Sequence, residues 1–285
     1  MPEVQANGIR FHYQQSGEGP DVVLLHAVTS NLAVWMFTGL VETLATQFRV
    51  TLYDFRGHGF SERPPTGYTS RDMAEDFKSL HESLGLKPAI LVGHSFGGVV
   101  GMHAAISSPE RVAGVILSDS FFPGLRDIEP NFGRMNIWAD LRETFSSVDV
   151  DLGEIVDFNR LFCSAADLSP SQMKTLEQKV GVFGQGWLRQ LPKLAETTCG
   201  NDVLTEAGLT AGKIAGVRQP VAALYDEFSP FLATCDWLKA NLPQCETEII
   251  PGAKHLAMVE NTPAFTDAVQ RHLRRMAGGQ QSNIG

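Results

Sequence analysis

Short apolar segments alternate with helical segments along most of the chain. Continuous apolar runs are typical of strands buried on both faces, and alternating polarity is typical of strands with one exposed face. Together these patterns predict eight strands, at residues 4–6, 9–13, 22–25, 49–53, 89–92, 113–117, 221–225 and 246–250. Apolar positions at helical spacing predict helices at residues 40–48, 70–84, 97–107, 231–241 and 263–276. Strands that alternate with helices predict a mostly parallel sheet covered on both faces.

This alternation stops in one long segment, residues 122–209. The segment favours helices, contains no predicted strand and, together with residue 121, carries seven of the 17 Phe and two of the four Trp. An insertion of this length between two strands predicts a helical cap over a binding site. We therefore expect a first core part (1–121), a cap (122–209) and a second core part (210–285), with a disordered polar tail from about residue 278.

A cap of this kind turns part of its apolar surface towards the core, which predicts an apolar pocket beneath it. The candidate residues for the pocket are His26, Phe121, Trp138, Trp187 and Leu256. For the aromatic residues of the cap, the alternative is that their rings fill the cap's own core. For His26, which ends a predicted strand, the alternative is that it shapes a loop.

The overall charge excludes several classes of partner. A formal net charge of −9 is repelled by nucleic acid and by anionic membranes, so we expect neither as a partner. No apolar stretch approaches the roughly 18 residues of a membrane span, and residues 1–5 lack the features of a signal peptide. The four cysteines show no C-x-x-C spacing, so we expect a cytoplasmic protein with reduced thiols. We see no metal-ligand cluster and no dinucleotide motif, hence we expect no metal or cofactor, and a homodimer stays open.

The pentapeptide GHSFG at residues 93–97 matches the G-x-S-x-G pattern of a nucleophile elbow. A predicted strand precedes it, and the small residues Gly98, Gly101 and Ala104 follow it at spacings that let a helix pack closely on a sheet. At such a turn the backbone of Ser95 is expected to be strained, which exposes its hydroxyl, and side chains at the flanking glycines would collide. A glycine-rich turn can contain a serine by chance, but the strand and helix around this one favour a functional role.

A serine hydroxyl needs a base to become a nucleophile, and the base needs an acid that orients it. His255 is the candidate base, because it follows the last predicted strand and so lies at the same carboxyl edge of the sheet as Ser95. His94 adjoins Ser95, but neighbouring side chains diverge at a turn. The other histidines lie at hairpin, loop or helix positions and are expected to be solvated or structural.

With these motifs in this order, the chain resembles the α/β-hydrolase fold superfamily over nearly its whole length. LLHAV at residues 24–28 is similar to the family's oxyanion loop, with alanine in the usual glycine position, DFRGHGFS at 54–61 matches the D-x-RGHG-x-S loop, and IPGAKH at 250–255 is similar to the late histidine segment. The resemblance implies an α/β fold with a mostly parallel, eight-stranded sheet, helices on both faces and a helical cap. It also implies an oxyanion hole formed by the backbone N–H groups of Val28 and Phe96, and a bracing role for the RGHG loop.

The acid of the triad is where the chain departs from this family. Most members carry an aspartate after the strand that corresponds to residues 221–225, and Ser229 occupies that position here. Serine cannot carry the charge that stabilises an imidazolium, which leaves Asp119, Asp226 and Glu227 as candidates. Asp119 follows the strand after the elbow, where some relatives such as haloalkane dehalogenases hold their acid, so we expect Asp119 to serve, with Asp226 as second choice. The structural alternative for Asp119 is a carboxylate that caps a loop.

Serine at the elbow argues against epoxide hydrolases and dehalogenases, whose nucleophile is a carboxylate. The resemblance therefore implies a serine hydrolase that acts on an ester or related acyl bond of a small hydrophobic substrate, through Ser95, His255 and Asp119 and an acyl-enzyme. Acyl transfer to an alcohol or amine, a lyase or isomerase of a biosynthetic pathway, and a non-catalytic ligand receptor are the alternatives. The intact serine, histidine and oxyanion loop argue against the receptor.

Overall fold

The computed structural model describes residues 1–129, 132 and 136–281. Its strands are β1 (Glu3–Ala6), β2 (Ile9–Ser16), β3 (Asp21–Leu25), β4 (Arg49–Tyr53), β5 (Ala89–His94), β6 (Val112–Ser118), β7 (Val221–Asp226) and β8 (Cys245–Ile250). They form one sheet in the order β1-β2-β4-β3-β5-β6-β7-β8. The pairs β1–β2 and β2–β4 are antiparallel and the other five pairs are parallel. All eight predicted strands and the mostly parallel sheet are confirmed.

Helices cover both faces of this sheet. They are α1 (Ala33–Met36), α2 (Leu40–Leu44), α3 (Ser70–Ser83), α4 (Phe96–Ser107), α5 (Asn136–Ser146), α6 (Phe158–Ala166), α7 (Pro170–Leu188), α8 (Leu191–Leu194), α9 (Cys199–Asp202), α10 (Ala211–Ala215), α11 (Leu232–Asn241), α12 (Ala257–Glu260) and α13 (Thr262–Gln281). Alternate residues of β3 enter different hydrophobic clusters: Val23 packs with α3 and α4, whereas Val22 packs with α2 and α13. Because successive side chains of a strand point to opposite faces, the two clusters form the two layers of the core.

The regular secondary structure described within residues 122–209 is helical. It comprises the short 3₁₀ segment Pro123–Ile128 and α5 to α9, with no strand among the described residues. Its buried residues Phe145, Leu161 and Leu188 belong to the same hydrophobic cluster as α3 and α4. The insertion therefore packs on that side of the core.

The two largest differences from the predicted boundaries are at the ends of helices. The helix expected at 40–48 ends at Leu44, and the tail expected to be disordered from residue 278 is helical up to Gln281. Extending an existing helix costs little once its nucleus has formed, and glutamine favours helix, so α13 continues through the glycine pair at 278–279. Residues 282–285 lie outside the described residues. Within the described part of the chain, no helix has the length and apolar character needed to cross a membrane.

Candidate active site

Ser95 lies at the sharp turn between β5 and α4. Its backbone angles are φ 51° and ψ −118°, a conformation that L-residues rarely adopt, and its N–H donates to the carbonyl of Ser118 at 2.8 Å. The side chain is partly exposed although β5 and the first turns of α4 are buried. The predicted strained elbow is confirmed.

Three glycines allow the chain to turn this sharply. A Cβ atom at Gly93 would meet the backbone of Gly97, and one at Gly97 would meet the carbonyl oxygen of Leu25, both closer than the 3.0 Å that real Cβ atoms keep. A Cβ at Gly98 would collide with Oγ of Ser120. The elbow thus rests directly on the strands β3 and β6 on either side of it.

The ring of His255 makes a close, largely buried contact with the carboxylate of Asp119. Its Nδ1 lies 2.6 Å from Oδ2 of Asp119, which is completely buried, while the His255 side chain is 16% exposed. A carboxylate oxygen accepts, so Nδ1 carries the proton in this contact. Asp119 directly follows β6 with φ 47°, and its Oδ1 accepts from the N–H of Asp226 at 3.2 Å. Strained backbone at residues 95 and 119 clusters at one edge of the sheet, as is common at functional sites.

The other candidate acids contact different groups. Oδ2 of Asp226 accepts from the N–H of Ala257 at 3.1 Å, and its buried Oδ1 has no hydrogen-bond partner within the described residues. Burial, and next the charge of Asp119, raise the pKa of Asp226 to about 7. Glu227 accepts from the N–H of Gly252 at 2.8 Å, and Oγ of Ser229 accepts from the N–H of Phe231 at 2.9 Å. Among these candidates, the structure brings Asp119 to the ring of His255.

The loop that carries His255 is held from both sides. Nε2 of His94 donates to the carbonyl oxygen of His255 at 2.8 Å, and the centroids of the two imidazole rings lie 4.9 Å apart. Burial, followed by the nearby His255, lowers the pKa of His94 to about 3, so His94 is neutral. On the other side, Glu260 accepts from the N–H groups of Lys254 and Leu256 at 2.8 and 3.0 Å. Sequence reasoning missed these contacts, although the adjacency of His94 to Ser95 was a signal.

The predicted oxyanion donors follow two neighbouring strands. Leu25 of β3 pairs with Gly93 of β5, so the loop with Val28 and the turn with Phe96 leave the sheet side by side. As the first residue of α4, Phe96 has no acceptor for its N–H within that helix. The carbonyl of Ala27 accepts from Nδ1 of His26 at 2.8 Å and from the N–H of Ser30 at 3.1 Å. In a trans peptide the N–H points away from the carbonyl, so these bonds fix the direction of the Val28 N–H.

The prediction that His26 lines the pocket is wrong. Its side chain is completely buried, Nδ1 donates to Ala27 and Nε2 accepts from the N–H of Phe55 at 2.9 Å. Burial also lowers its pKa, which keeps it neutral. With both ring nitrogens bonded to backbone, His26 shapes the loop after β3, which was the alternative.

A row of aromatic rings leads from the start of the insertion to His255. Phe121 stacks on Phe132 with ring centroids 4.0 Å apart, and Phe231 lies 5.4 Å from Phe121 and 5.9 Å from His255. Phe121 was predicted for the pocket, whereas Phe231, which immediately precedes α11, was missed. Leu256, beside His255, is 39% exposed and lies at the surface of this edge.

The two tryptophans of the insertion have different environments. Trp138 is 2% exposed and its Nε1 donates to the carbonyl of Gly153 at 3.1 Å, so its prediction as a pocket residue is wrong: the ring fills the core of the insertion itself. Trp187 is partly buried and its Nε1 donates to Oγ1 of Thr29 at 3.0 Å. It therefore joins the insertion to the loop after β3.

The chain is similar to known proteins in both sequence and structure. A family model described as alpha/beta hydrolase fold matches residues 20–262. The chain is similar to the 2-(acetamidomethylene)succinate hydrolase of Mesorhizobium japonicum, with 29% identity over 259 residues, 88% of this chain and 87% of the relative. It is 29% identical over 273 residues to the pimeloyl-acyl-carrier-protein methyl ester esterase of Chromobacterium violaceum, 92% of this chain and 97% of that protein. The crystal structure of the enol-lactonase from Burkholderia xenovorans shares the fold, with a TM-score of 0.69 at 21% identity over 96% of this chain and 100% of that one.

Proposed function

Because the chain belongs to the α/β-hydrolase fold family, we propose that it is a serine hydrolase that cleaves an ester or related acyl bond through an acyl-enzyme at Ser95. The observation that carries this proposal is the 2.6 Å contact between Nδ1 of His255 and the buried carboxylate of Asp119, at the same sheet edge as a strained serine. The similar proteins with assigned activities, a succinate-derivative hydrolase and a methyl ester esterase, support hydrolysis.

In the first half of the reaction, Oγ of Ser95 attacks the carbonyl carbon of the substrate. Nε2 of His255 accepts the hydroxyl proton, which is possible because its Nδ1 already donates to Asp119. The imidazolium formed in this way is stabilised by the negative charge of Asp119, which is protected from water. The carbonyl oxygen becomes an oxyanion, to which the N–H groups of Val28 and Phe96 donate, each such donor contributing about 3 kcal/mol in the transition state.

The tetrahedral intermediate then collapses, His255 gives its proton to the leaving alcohol, and the first half ends with the acyl group bound to Ser95. In the second half, a water molecule attacks the acyl carbon while His255 accepts its proton. The new tetrahedral intermediate breaks its bond to Oγ of Ser95, which takes the proton from His255, and the carboxylic acid leaves. In the acyltransferase alternative, the acyl group bound to Ser95 passes to an alcohol or an amine instead of water.

The aromatic row supports one class of substrate. Phe231 lies 5.9 Å from His255 and 5.4 Å from Phe121, so these largely buried rings form an apolar wall beside the proposed base. We therefore propose a small substrate with a hydrophobic acyl or aryl group.

Covalent labelling tests this function. A fluorophosphonate should modify the peptide that contains Ser95 stoichiometrically, and Ser95→Ala should lose both the label and about 10⁴-fold of turnover on a p-nitrophenyl ester. Ser120→Ala is the matched control, because this buried hydroxyl lies beside the elbow and should be dispensable for labelling. Labelling at another residue, or near-normal turnover of Ser95→Ala, would contradict an acyl-enzyme at Ser95. Wild-type protein that is neither labelled nor active on esters would favour a lyase, an isomerase or a receptor.

A further inference from the structure

Thr29 occupies a backbone conformation that is unusual for its residue type. Its φ is 66°, in the left-handed region, where a β-branched side chain is strained. The N–H of Ser30 donates to the carbonyl of Ala27 at 3.1 Å, so residues 27–30 form a β-turn with Thr29 in third place. When this position has a positive φ, glycine or asparagine is the usual residue. Such strain persists where surrounding contacts hold the residue in place.

Two hydrogen bonds from different parts of the chain hold Thr29. Its N–H donates to Nε2 of His58 at 3.1 Å, and its Oγ1 accepts from Nε1 of Trp187 at 3.0 Å. His58 can accept because its Nδ1 donates to the carbonyl of Arg56 at 2.8 Å, and because burial, followed by the nearby His26, lowers its pKa to about 3 and keeps the ring neutral. Arg56 is itself anchored: its Nε donates to Asp76 of α3 at 2.6 Å.

The turn that contains Thr29 also sets the direction of the Val28 N–H. Relaxation of Thr29 to a negative φ would reorient the peptide between residues 28 and 29 and disturb the bond from Ser30 that closes the turn. The Ala27 carbonyl would then lose one of its two donors. Because the Val28 N–H belongs to the same peptide unit as that carbonyl, its direction would become less defined.

We propose that Trp187 and Thr29 are positioning residues, and that the hydrogen bond between them is a latch by which the cap holds the oxyanion loop in its strained, active conformation. The proposal rests on the proposed function, since it assigns the Val28 N–H to the oxyanion hole. The RGHG loop holds the same turn from the core side through His58, which gives its predicted bracing role a specific target.

The part of α7 that carries Trp187 follows a kink in that helix. Gly181 interrupts α7 with φ 67° and ψ 179°. A Cβ at Gly181 or at Gly186 would meet no atom within 4 Å, so neither glycine is required by a close neighbour. The segment is braced across the kink by Arg189, whose Nε donates to Glu177 at 2.7 Å.

Two conservative variants and their combination test the latch. Trp187→Phe keeps an aromatic ring but removes the N–H, and Thr29→Val keeps the branched shape but removes the hydroxyl. Each should lower kcat on a p-nitrophenyl ester about tenfold or more with KM changed less than about twofold, since a displaced donor costs rate rather than binding. The kcat of the double variant should be no lower than that of the single variants, because each single substitution already removes the same hydrogen bond. Thr29→Ser should retain kcat near that of the wild type.

Trp138→Phe is the matched control, because it removes an indole hydrogen bond whose donor and acceptor both lie within the insertion. Amide hydrogen exchange of residues 26–31 gives a readout that does not depend on catalysis, and it should become faster in Trp187→Phe and Thr29→Val but not in Trp138→Phe. Unchanged exchange in Trp187→Phe overturns the latch, and so does faster exchange with unchanged kcat. If the wild-type protein hydrolyses no ester and is not labelled at Ser95, the proposed function fails, and the exchange experiment still decides whether the indole holds the loop.

Discussion

Two buried carboxylates lie side by side at the edge of the sheet and make different contacts. Asp119 accepts from the ring of His255 and from the N–H of Asp226, while Asp226 accepts from the N–H of Ala257 and leaves one buried oxygen without a partner in the described part of the chain. Two adjacent buried carboxylates seldom both ionise, because each charge disfavours the other. The raised pKa of Asp226, about 7, makes it the one that keeps its proton in mildly acidic solution.

This raised pKa predicts how stability changes with pH. Folded protein keeps the proton of Asp226 up to about pH 7, whereas the unfolded chain loses it near the ordinary value of 3.8. The stability contributed by this proton is therefore present below about pH 4 and is lost as the pH rises to about 7. Asp226→Asn removes this pH dependence, so the difference in the free energy of unfolding, variant minus wild type, should rise between about pH 4 and about pH 7. Urea unfolding of both proteins measures this, and a difference that does not change with pH would contradict the assigned pKa.

At the scale of elements, α4 determines where the serine lies, through glycines with different surroundings. A Cβ at Gly97 would collide with the carbonyl oxygens of Leu25 and His26, whereas one at Gly101 would make ordinary contacts at 3.5 Å with Leu25 and Val115. Gly97→Ala should therefore destabilise the protein by about 1–3 kcal/mol or more. Gly101→Ala should be neutral or stabilising by up to about 1 kcal/mol, since alanine favours helix. Thermal or urea unfolding compares them, and equal stabilities would show that the elbow does not press on β3.

The strands and the elbow could be predicted because their signals are local. An apolar run such as residues 89–92 and the small residues after it specify a buried strand and a close helix without reference to distant parts of the chain. The contact between Asp119 and His255 joins residues 136 positions apart. It was favoured because Ser229 lacks a charge and because some relatives hold their acid after the same strand. The brief helices around Leu44 and Leu256 could not be delimited, because they depend on packing rather than on periodicity.

At the scale of the whole molecule, Phe121 and Phe231 of the two core parts lie in the row of rings that ends at His255, whereas Trp138 of the insertion fills the insertion's own core. Phe121→Ala and Phe231→Ala should widen the space next to His255 and shift the preference among p-nitrophenyl esters towards longer or bulkier acyl groups. Trp138→Ala should cost about 3 kcal/mol or more of stability without changing that preference, because its ring is buried away from the site. The measurement is kcat/KM across an acyl series. A shift in Trp138→Ala alone would contradict the assignment of the rings.

Composition could not assign these roles before the structure was known. A helix-rich insertion with many aromatic residues predicts a cap, but which rings face the core depends on the packing of α5, α6 and α7 against one another. Trp138 and His26 were predicted for the pocket and instead serve the interior, whereas Phe231 comes from the second core part and was not considered. Net charge likewise says little about how many copies of the chain associate. The homodimer stays a prediction, which sedimentation analysis can test.

The central claim is that Asp119 is the acid of the triad. The most direct test compares Asp119, which contacts the ring of His255, with the neighbouring Asp226, which is not hydrogen-bonded to that ring among the described residues. Asp119→Asn should lower kcat by about 10⁴-fold on a p-nitrophenyl ester, because the imidazolium of His255 then loses its negative partner. Asp226→Asn should change kcat by less than about tenfold, since asparagine can still accept from the N–H of Ala257 and resembles the protonated acid. If Asp226→Asn is the damaging change and Asp119→Asn is nearly silent, or if neither matters, then Ser95, His255 and Asp119 do not act as a triad.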